Sequence, residues 1–249
     1  MAERTVTAAV IIIGNEILSG RTQDENLPFL ARELNELGIQ VREARVVPDL
    51  EAEIVAAVNQ CRARHDHVFT TGGIGPTHDD ITAAAVAKAL DRPLGRHSEA
   101  QRRLLAYYPP EKVNPARMKM ADMPEGAELI DNPVSVAPGF TVGNVHVLPG
   151  VPSILRAMFD GLRPRLRGGA VVRSRTIAVL CPEGEVAQAL GAIQQRWPEV
   201  EIGSYPFMRQ GSFGSSLVLR GTDPEAIAAA AAAILAWVGE HGFQVLDLS

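Results

Sequence analysis

Cysteine is nearly missing from this chain. Cys61 and Cys181 are its only two among 249 residues, far apart and with no CxxC pair. That excludes a disulfide framework and argues against a cysteine-built zinc site; both read as reduced, half-buried residues. Long apolar runs are missing too: residues 10–13 form only a short apolar stretch, far from bilayer length. The amino terminus has no charged n-region, apolar h-region and cleavage site, so the expected location is cytoplasmic. Positive charge is in the minority, with 24 Lys and Arg against 29 Asp and Glu and a net charge of −5. That balance argues against nucleic acid or an anionic membrane as partner. His65, His67, His97 and His146 show no metal-ligand spacing and read as surface or loop residues. Ser135 and Ser153 lack a GxSxG setting, which gives acyl transfer little support.

What is present is an ordinary globular composition, 46% hydrophobic and 21% charged, at a length suited to one large and one small domain. Residues 6–13 are apolar and β-branched without alternation, as in a strand buried on both faces of a parallel sheet. Leu27, Leu30, Ala31, Leu34 and Leu37 recur at helical spacing until Gly38 stops them. Residues 40–47 read as a strand, Ile54 to Cys61 as a helix, residues 67–70 as a strand, and residues 81–90 as an Ala-rich helix. This alternation predicts a doubly wound α/β domain with a mostly parallel sheet. The pattern loosens over residues 91–133, where two short helices (99–107 and 115–120) suggest a lid or an insertion. Residues 137–142 and 145–148 read as strands joined at Gly143-Asn144, before a helix over 154–162.

The Arg/Pro/Gly-rich stretch 163–169 marks a boundary, giving a domain over 1–165 and a smaller one over 170–249. The second reads β-α-β-β-α, with a last strand near 243–246: a ferredoxin-like or KH-like α+β unit. It contains a literal GxxG at residues 211–214. In a KH module that loop joins two helices; here it lies between two strands and reads as a hairpin turn.

The chemistry concentrates in residues 71–80, TGGIGPTHDD. Gly72, Gly73 and Gly75 let backbone N–H groups approach an anion, Pro76 stiffens the turn, and a helix starting near Asp79 or Asp80 would present its positive end. Asp79 and Asp80 have two readings. Either can cap that helix, or they can hold a divalent cation bridging to phosphate, as Mg²⁺ or Mn²⁺ is bound by one or two carboxylates. Thr77, His78 and Thr82 could add hydrogen bonds. Glu16 follows the first strand, and Asp49 follows the second. Ligands of open α/β sheets bind at such strand ends. Asp49 and Asp24 also suit helix capping, with Asn26 an ordinary first-turn residue, whereas Glu16 has no such alternative. The LPGVP junction with Pro149 and Gly150 reads by itself as a turn with Pro near helix position one.

The ordered strings GNEILSG, Asp24 and Asn26, VPD (47–49), TGGIGPTHDDIT, APGF and LPGVP resemble the molybdopterin-binding fold over about residues 6–162. GGIGPTHDD resembles the amino-terminal region of CinA proteins and the corresponding domain of eukaryotic FAD synthases. The resemblance implies a three-layer fold and metal-dependent hydrolysis of a dinucleotide-type pyrophosphate such as ADP-ribose or FAD. It implies phosphate contacts from Thr71, Gly72, Gly73, Gly75, Pro76 and Thr77, with Pro149 and Gly150 on the far side. Asp80, Asp49 and Glu16 become the catalytic acids, Asp24 and Asn26 ligand contacts, and Asp80 with Asp79 the metal ligands. The expected cofactor is Mg²⁺, Mn²⁺ or Co²⁺, with K⁺ as an additional ion; the alternative ligand is molybdopterin, bound or adenylylated. Relatives of this fold associate, so a homodimer is expected. CinA proteins usually continue into an amidase domain and FAD synthases carry an adenylyl-transfer domain. With the chain ending at Ser249, neither activity is expected.

Overall fold

A computed structural model describes residues 5–209 and 211–246. The chain divides into two compact units, residues 1–170 and 171–249. The first holds a six-stranded sheet in the order β2-β1-β3-β8-β7-β6. Its strands are β1 (Val6–Ile13), β2 (Ile39–Val47), β3 (His67–Thr71), β6 (Glu128–Ile130), β7 (Gly139–Val142) and β8 (Val145–Leu148). β2, β1, β3 and β8 run parallel, and β7 and β6 close the far edge antiparallel.

The unbroken apolar run of β1 has a physical cause. Ala9, Ile11 and Ile13 pack in one cluster with α3 (Glu51–Arg62) and α4 (Thr82–Ala89). Ala8, Val10 and Ile12 pack in another with α2 (Asn26–Glu36) and α7 (Pro152–Leu162). Both faces are covered, so neither can be polar. Order 2-1-3 reverses direction at β1, so the loops after β1 and β3 part there and leave a crevice at the strands' carboxyl ends. A one-turn helix, α1 (Asn15–Leu18), follows β1 directly.

Residues 91–133 carry the two expected short helices. They form α5 (Ser98–Tyr107), α6 (Pro115–Lys119) and a ribbon of β4 (Leu94–Arg96) with β5 (Asp122–Pro124), before β6 joins the main sheet. Ala100, Leu104, Met118 and Met123 are buried in the same cluster as α3 and α4. The stretch is therefore part of the core. Its strands are three residues each, too short to show an alternating pattern.

The second unit consists of β9 (Arg173–Leu180), α8 (Glu183–Arg196), β10 (Glu201–Arg209), β11 (Ser212–Gly221), α9 (Pro224–Glu240) and β12 (Gln244–Leu246). Its antiparallel sheet has the order β10-β11-β9-β12. β11 is thus inserted between β9 and β10, the split βαβ arrangement of the ferredoxin-like fold. The small residues of α4 and α9 face core: Ala85 and Ala89 in the first unit, Ala226, Ala230 and Ala231 in the second.

His146 departs from the surface-or-loop reading, and the cysteines are more deeply buried than the half-buried reading had them. His146 is buried in β8, stacked on Phe69 with ring centroids 4.8 Å apart. Its Nε2 lies 3.1 Å from His67 Nδ1 and its Nδ1 3.0 Å from Thr141 Oγ1. Burial, with His67 and Arg165 nearby, pushes its pKa down to about 3. His65 pairs with Glu43 at 3.0 Å, and His97 Nδ1 accepts the Ala100 N–H at the start of α5. Both cysteines are fully buried, which raises both thiol pKa values.

Candidate functional site

The carboxyl ends of β1, β3 and β8 and the loop after β2 surround one cavity of about 560 Å³, within the range of small-molecule sites. Ile13 and Gly14, Gly72 to Gly75, Pro149 and Gly150, and Asp49 all line it. Two glycines shape its floor. Gly72 (φ +100°) and Gly73 (φ +68°) take backbone conformations that L side chains rarely adopt. A Cβ on Gly72 would lie 2.2 Å from the Ile13 carbonyl oxygen, and one on Gly73 would lie 2.2 Å from Thr82 Oγ1.

The turn is tied down on both sides. The Gly72 N–H donates to Leu148 O (3.1 Å), and Thr82 donates from its N–H to Gly73 O and from its hydroxyl to Gly72 O. Among the described residues, the N–H groups of Gly73, Ile74 and Gly75 carry no hydrogen bond. They are free donors beside the cavity.

The helix end at this cavity is not the expected one. The Thr82 N–H, at the first position of α4, is spent on Gly73 O. α7, by contrast, begins at the cavity wall: Gly150, Val151, Pro152 and Ile154 line it, with Val151 as N-cap residue. Pro152 has no N–H and the Ile154 N–H is taken by Val151 O, so the helix offers an anion its positive dipole end and the Ser153 N–H. The LPGVP string read as a turn because nothing local says where the helix end points.

The acids fall into two groups. On one side, Asp49 does not cap α3; the residue before that helix is Leu50, with no side-chain cap. Asp49 Oδ2 instead accepts the Asn15 N–H at 2.8 Å, holding the turn that carries Glu16. Glu16's carboxylate folds over Gly14, where a Cβ would lie 2.6 Å from it. On the other side, neither Asp79 nor Asp80 caps α4, whose N-cap residue is Ile81. Asp80 Oδ2 accepts the Thr77 N–H at 2.8 Å, and the Thr77 hydroxyl lies between the two carboxylates, 2.6 Å from Asp79. Lys119 Nζ donates to Thr77 O at 2.8 Å. The Thr77 hydroxyl, then the backbone N–H of Asp79, then His78 and Lys119 hold the Asp79 carboxyl below its usual range.

Glu16, Asp49, Asp79 and Asp80 border the cavity with Pro76 and Thr77. Asp24, Asn26 and Thr71 line a neighbouring chamber instead. There Asp24 does act as a cap, accepting the Leu27 N–H at 2.8 Å. Among the described residues no group of three or more His, Cys, Asp or Glu converges to hold a metal. The donor set fits a hard cation bound by one or two carboxylates that completes its shell with phosphate oxygens and water.

Sequence reasoning missed the rim from the loop before β7. Asn132 Oδ1 accepts the N–H groups of Val134 and Ser135 at 3.0 Å, and its Nδ2 donates to Ala137 O at 2.8 Å. This braces Val136, a β-branched residue at φ +63°, a strained conformation. An Asn within NPVS is a general turn signal, which does not reveal its position over a crevice.

A doubly wound α/β domain with a glycine turn at the carboxyl ends of its parallel strands defines the class. Residues 9–168 match the family model described as "Probable molybdopterin binding domain", and residues 171–246 match "FAD synthase, middle domain". The chain belongs to the molybdopterin-binding-domain family, in its CinA-like branch. A protein of Aeropyrum pernix is 40% identical over 85% of this chain and 82% of its own length. A CinA-like protein of Desulfosudis oleivorans is 37% identical over 79% of this chain and 51% of its own, so the chain spans about half of that relative. The solved structure of CinA from Thermoplasma acidophilum, described as of unknown function, is 37% identical. It superposes with a TM-score of 0.60 over 64% of this chain and 98% of that one. Among the described residues no helix is long and apolar enough to cross a membrane.

Proposed function

We propose that the protein is a divalent-metal-dependent pyrophosphatase acting on a dinucleotide-type pyrophosphate such as ADP-ribose or FAD. One observation carries this reading: four carboxylates border the same cavity as a run of unpaired backbone N–H groups. Free donors invite a polyanion and the carboxylates repel it, unless a cation lies between them. Likeness of the second domain to the FAD synthase middle domain supports a nucleotide ligand.

In this reading Gly73, Ile74, Gly75 and the first turn of α7 hold the phosphate oxygens. Asp80, with Asp79, holds the cation. Bound Mg²⁺, Mn²⁺ or Co²⁺ supplies charge neutralisation at the leaving phosphate and acidifies water. With Asp79 committed to the cation, Glu16 is left to take the proton of the attacking water. Asp49 positions Glu16 through Asn15. Water oxygen joins phosphorus, the bridging P–O bond breaks, and AMP leaves with a second monophosphate.

The test is AMP release from ADP-ribose and FAD with each of the three ions; no release with any of them refutes the hydrolase. Asp80→Asn keeps an acceptor for the Thr77 N–H but removes the charge. Its turnover should fall by roughly 10²-fold or more, with an unchanged melting temperature. Binding without turnover would instead describe a nucleotide-binding module.

A second reading has its own observation. Behind Gly73 to Gly75 lies a side chamber of about 120 Å³ walled by Ile74, Ile81, Met120, Met123 and Phe140, suited to a flat ring. Molybdopterin is the alternative ligand, and fluorescence titration with the pterin decides it. A homodimer is the proposed assembly; a monomer mass in light scattering refutes it.

A further inference from the structure

The chamber beside the cavity has a mixed lining, with isoleucines on one part and carboxylates and amides on another. It measures about 60 Å³ and is walled by Glu16, Asp24, Asn26, Thr71 and Gly150 among others. Asn26 is only 5% exposed. Its Nδ2 donates to the Gly150 carbonyl at 2.8 Å, while its Oδ1 has no partner. The amide cannot be turned around, because Oδ1 would then face the Gly150 oxygen, acceptor against acceptor. The buried acceptor therefore remains unpaired on a residue that lines the chamber. Beside it is Asp24, with Oδ2 committed to the Leu27 N–H and its other oxygen uncommitted.

The carboxylates of Glu16 and Asp24 on this lining disfavour phosphate, and an apolar group would leave the Asn26 acceptor unpaired. The lining suits a small group rich in O–H donors. The chamber shares Ile13, Glu16, Thr22, Gly150 and Pro152 with the main cavity. The opening thus lies at the first turn of α7, where the preceding reading puts a phosphate. A sugar is one ester bond away from its phosphate.

We propose that this chamber is a sugar-hydroxyl subsite, in which Asn26 Oδ1 and the free oxygen of Asp24 accept hydrogen bonds from ribose hydroxyls. It rests on the phosphorylated-ligand reading of the cavity and needs no hydrolysis. A site that pairs a buried acceptor with a ligand hydroxyl rejects the analogue lacking it.

The experiment is calorimetric titration of the full chain with ribose 5-phosphate, 2-deoxyribose 5-phosphate and inorganic phosphate. The deoxy sugar should bind at least about 10-fold more weakly than ribose 5-phosphate. In Asn26→Leu the two sugars should come within about 3-fold of each other. Equal affinity of the unaltered chain for both sugars, or no binding of either, overturns the proposal. So does an undiminished preference in the folded variant. Should Asn26→Leu fail to fold, the sugars on the unaltered chain decide alone. A chain that distinguishes the sugars yet releases no AMP upholds the subsite and refutes the hydrolase. Release of AMP with no sugar discrimination does the reverse.

Discussion

Two glycine-rich turns, GGIG at residues 72–75 and GSFG at residues 211–214, share a composition and little else. The second begins at the reversal between antiparallel β10 and β11 with Gly211 and runs on into β11, its other three residues already in the ladder, with Met208 paired to Phe213 and Arg209 to Ser212. Gln210 lies outside the described residues. The first follows a parallel strand whose neighbours send their chains elsewhere, so among the described residues nothing pairs with the N–H groups of residues 73–75. An antiparallel hairpin consumes its own backbone donors, whereas a parallel strand end can leave them for a ligand. What glycine does in a turn is therefore decided by the strand that leads into it.

The largest expected contrast comes from adding one methyl group to each turn. Gly72→Ala meets the Ile13 carbonyl at 2.2 Å with φ at +100°. The left-handed penalty of about 1–2 kcal/mol adds to an overpacking cost of about 1–3 kcal/mol. Gly211→Ala, at φ +81° with nothing within 4 Å, should lose only the first of these, about 1–2 kcal/mol. Chemical denaturation measures both. Equal losses would break the distinction between a turn that shapes a cavity floor and one that only reverses a strand.

How much of this was legible in the sequence follows from how local each signal is. The apolar run of β1 and the leucine spacing of α2 are properties of consecutive residues, and the strand and helix formed accordingly. Capping by Asp49 failed because local propensity cannot see a distant competing partner. Asp49 accepts the N–H of Asn15, 34 residues earlier. Asn26 resembled any first-turn residue, yet its Nδ2 bonds to Gly150, 124 residues later. Glu16, Asp49 and Asp80 were placed near one another only by the rule for strand ends. The direction of α7 and the Asn132 loop had no rule at all.

The next contrast is between domains, through pH. His146 is buried in the first unit with a pKa near 3, whereas the unfolded chain takes up its proton near the ordinary value of 6.5. Below 6.5 the unfolded state binds more protons, so this contribution is complete above 6.5 and is lost as pH falls toward 3. The slope approaches about 1.4 kcal/mol per pH unit. Both tryptophans, Trp197 and Trp237, belong to the second unit. From pH 7 to 4.5 the circular-dichroism transition should fall by more than the transition in tryptophan emission maximum. His146→Phe should narrow that difference. Parallel shifts of the two probes would mean that the buried histidine does not govern the acid response.

The smallest effect belongs to the hairpin tip. Met208 and Phe213 are 65% and 63% exposed, so Phe213→Ser removes little buried area. It should change stability by less than about 0.5 kcal/mol, the range of ordinary surface substitutions. AMP release from ADP-ribose should stay at the level of the unaltered chain, because every residue proposed to handle phosphate lies in the first domain. A nucleic-acid role for the GSFG turn makes the opposite forecast. It requires the unaltered chain to be retained on single-stranded RNA at low salt, where backbone contacts are strongest, and Phe213→Ser to release it. Retention of that kind would remove the hairpin from the class of plain strand reversals and give the second glycine turn an anion of its own.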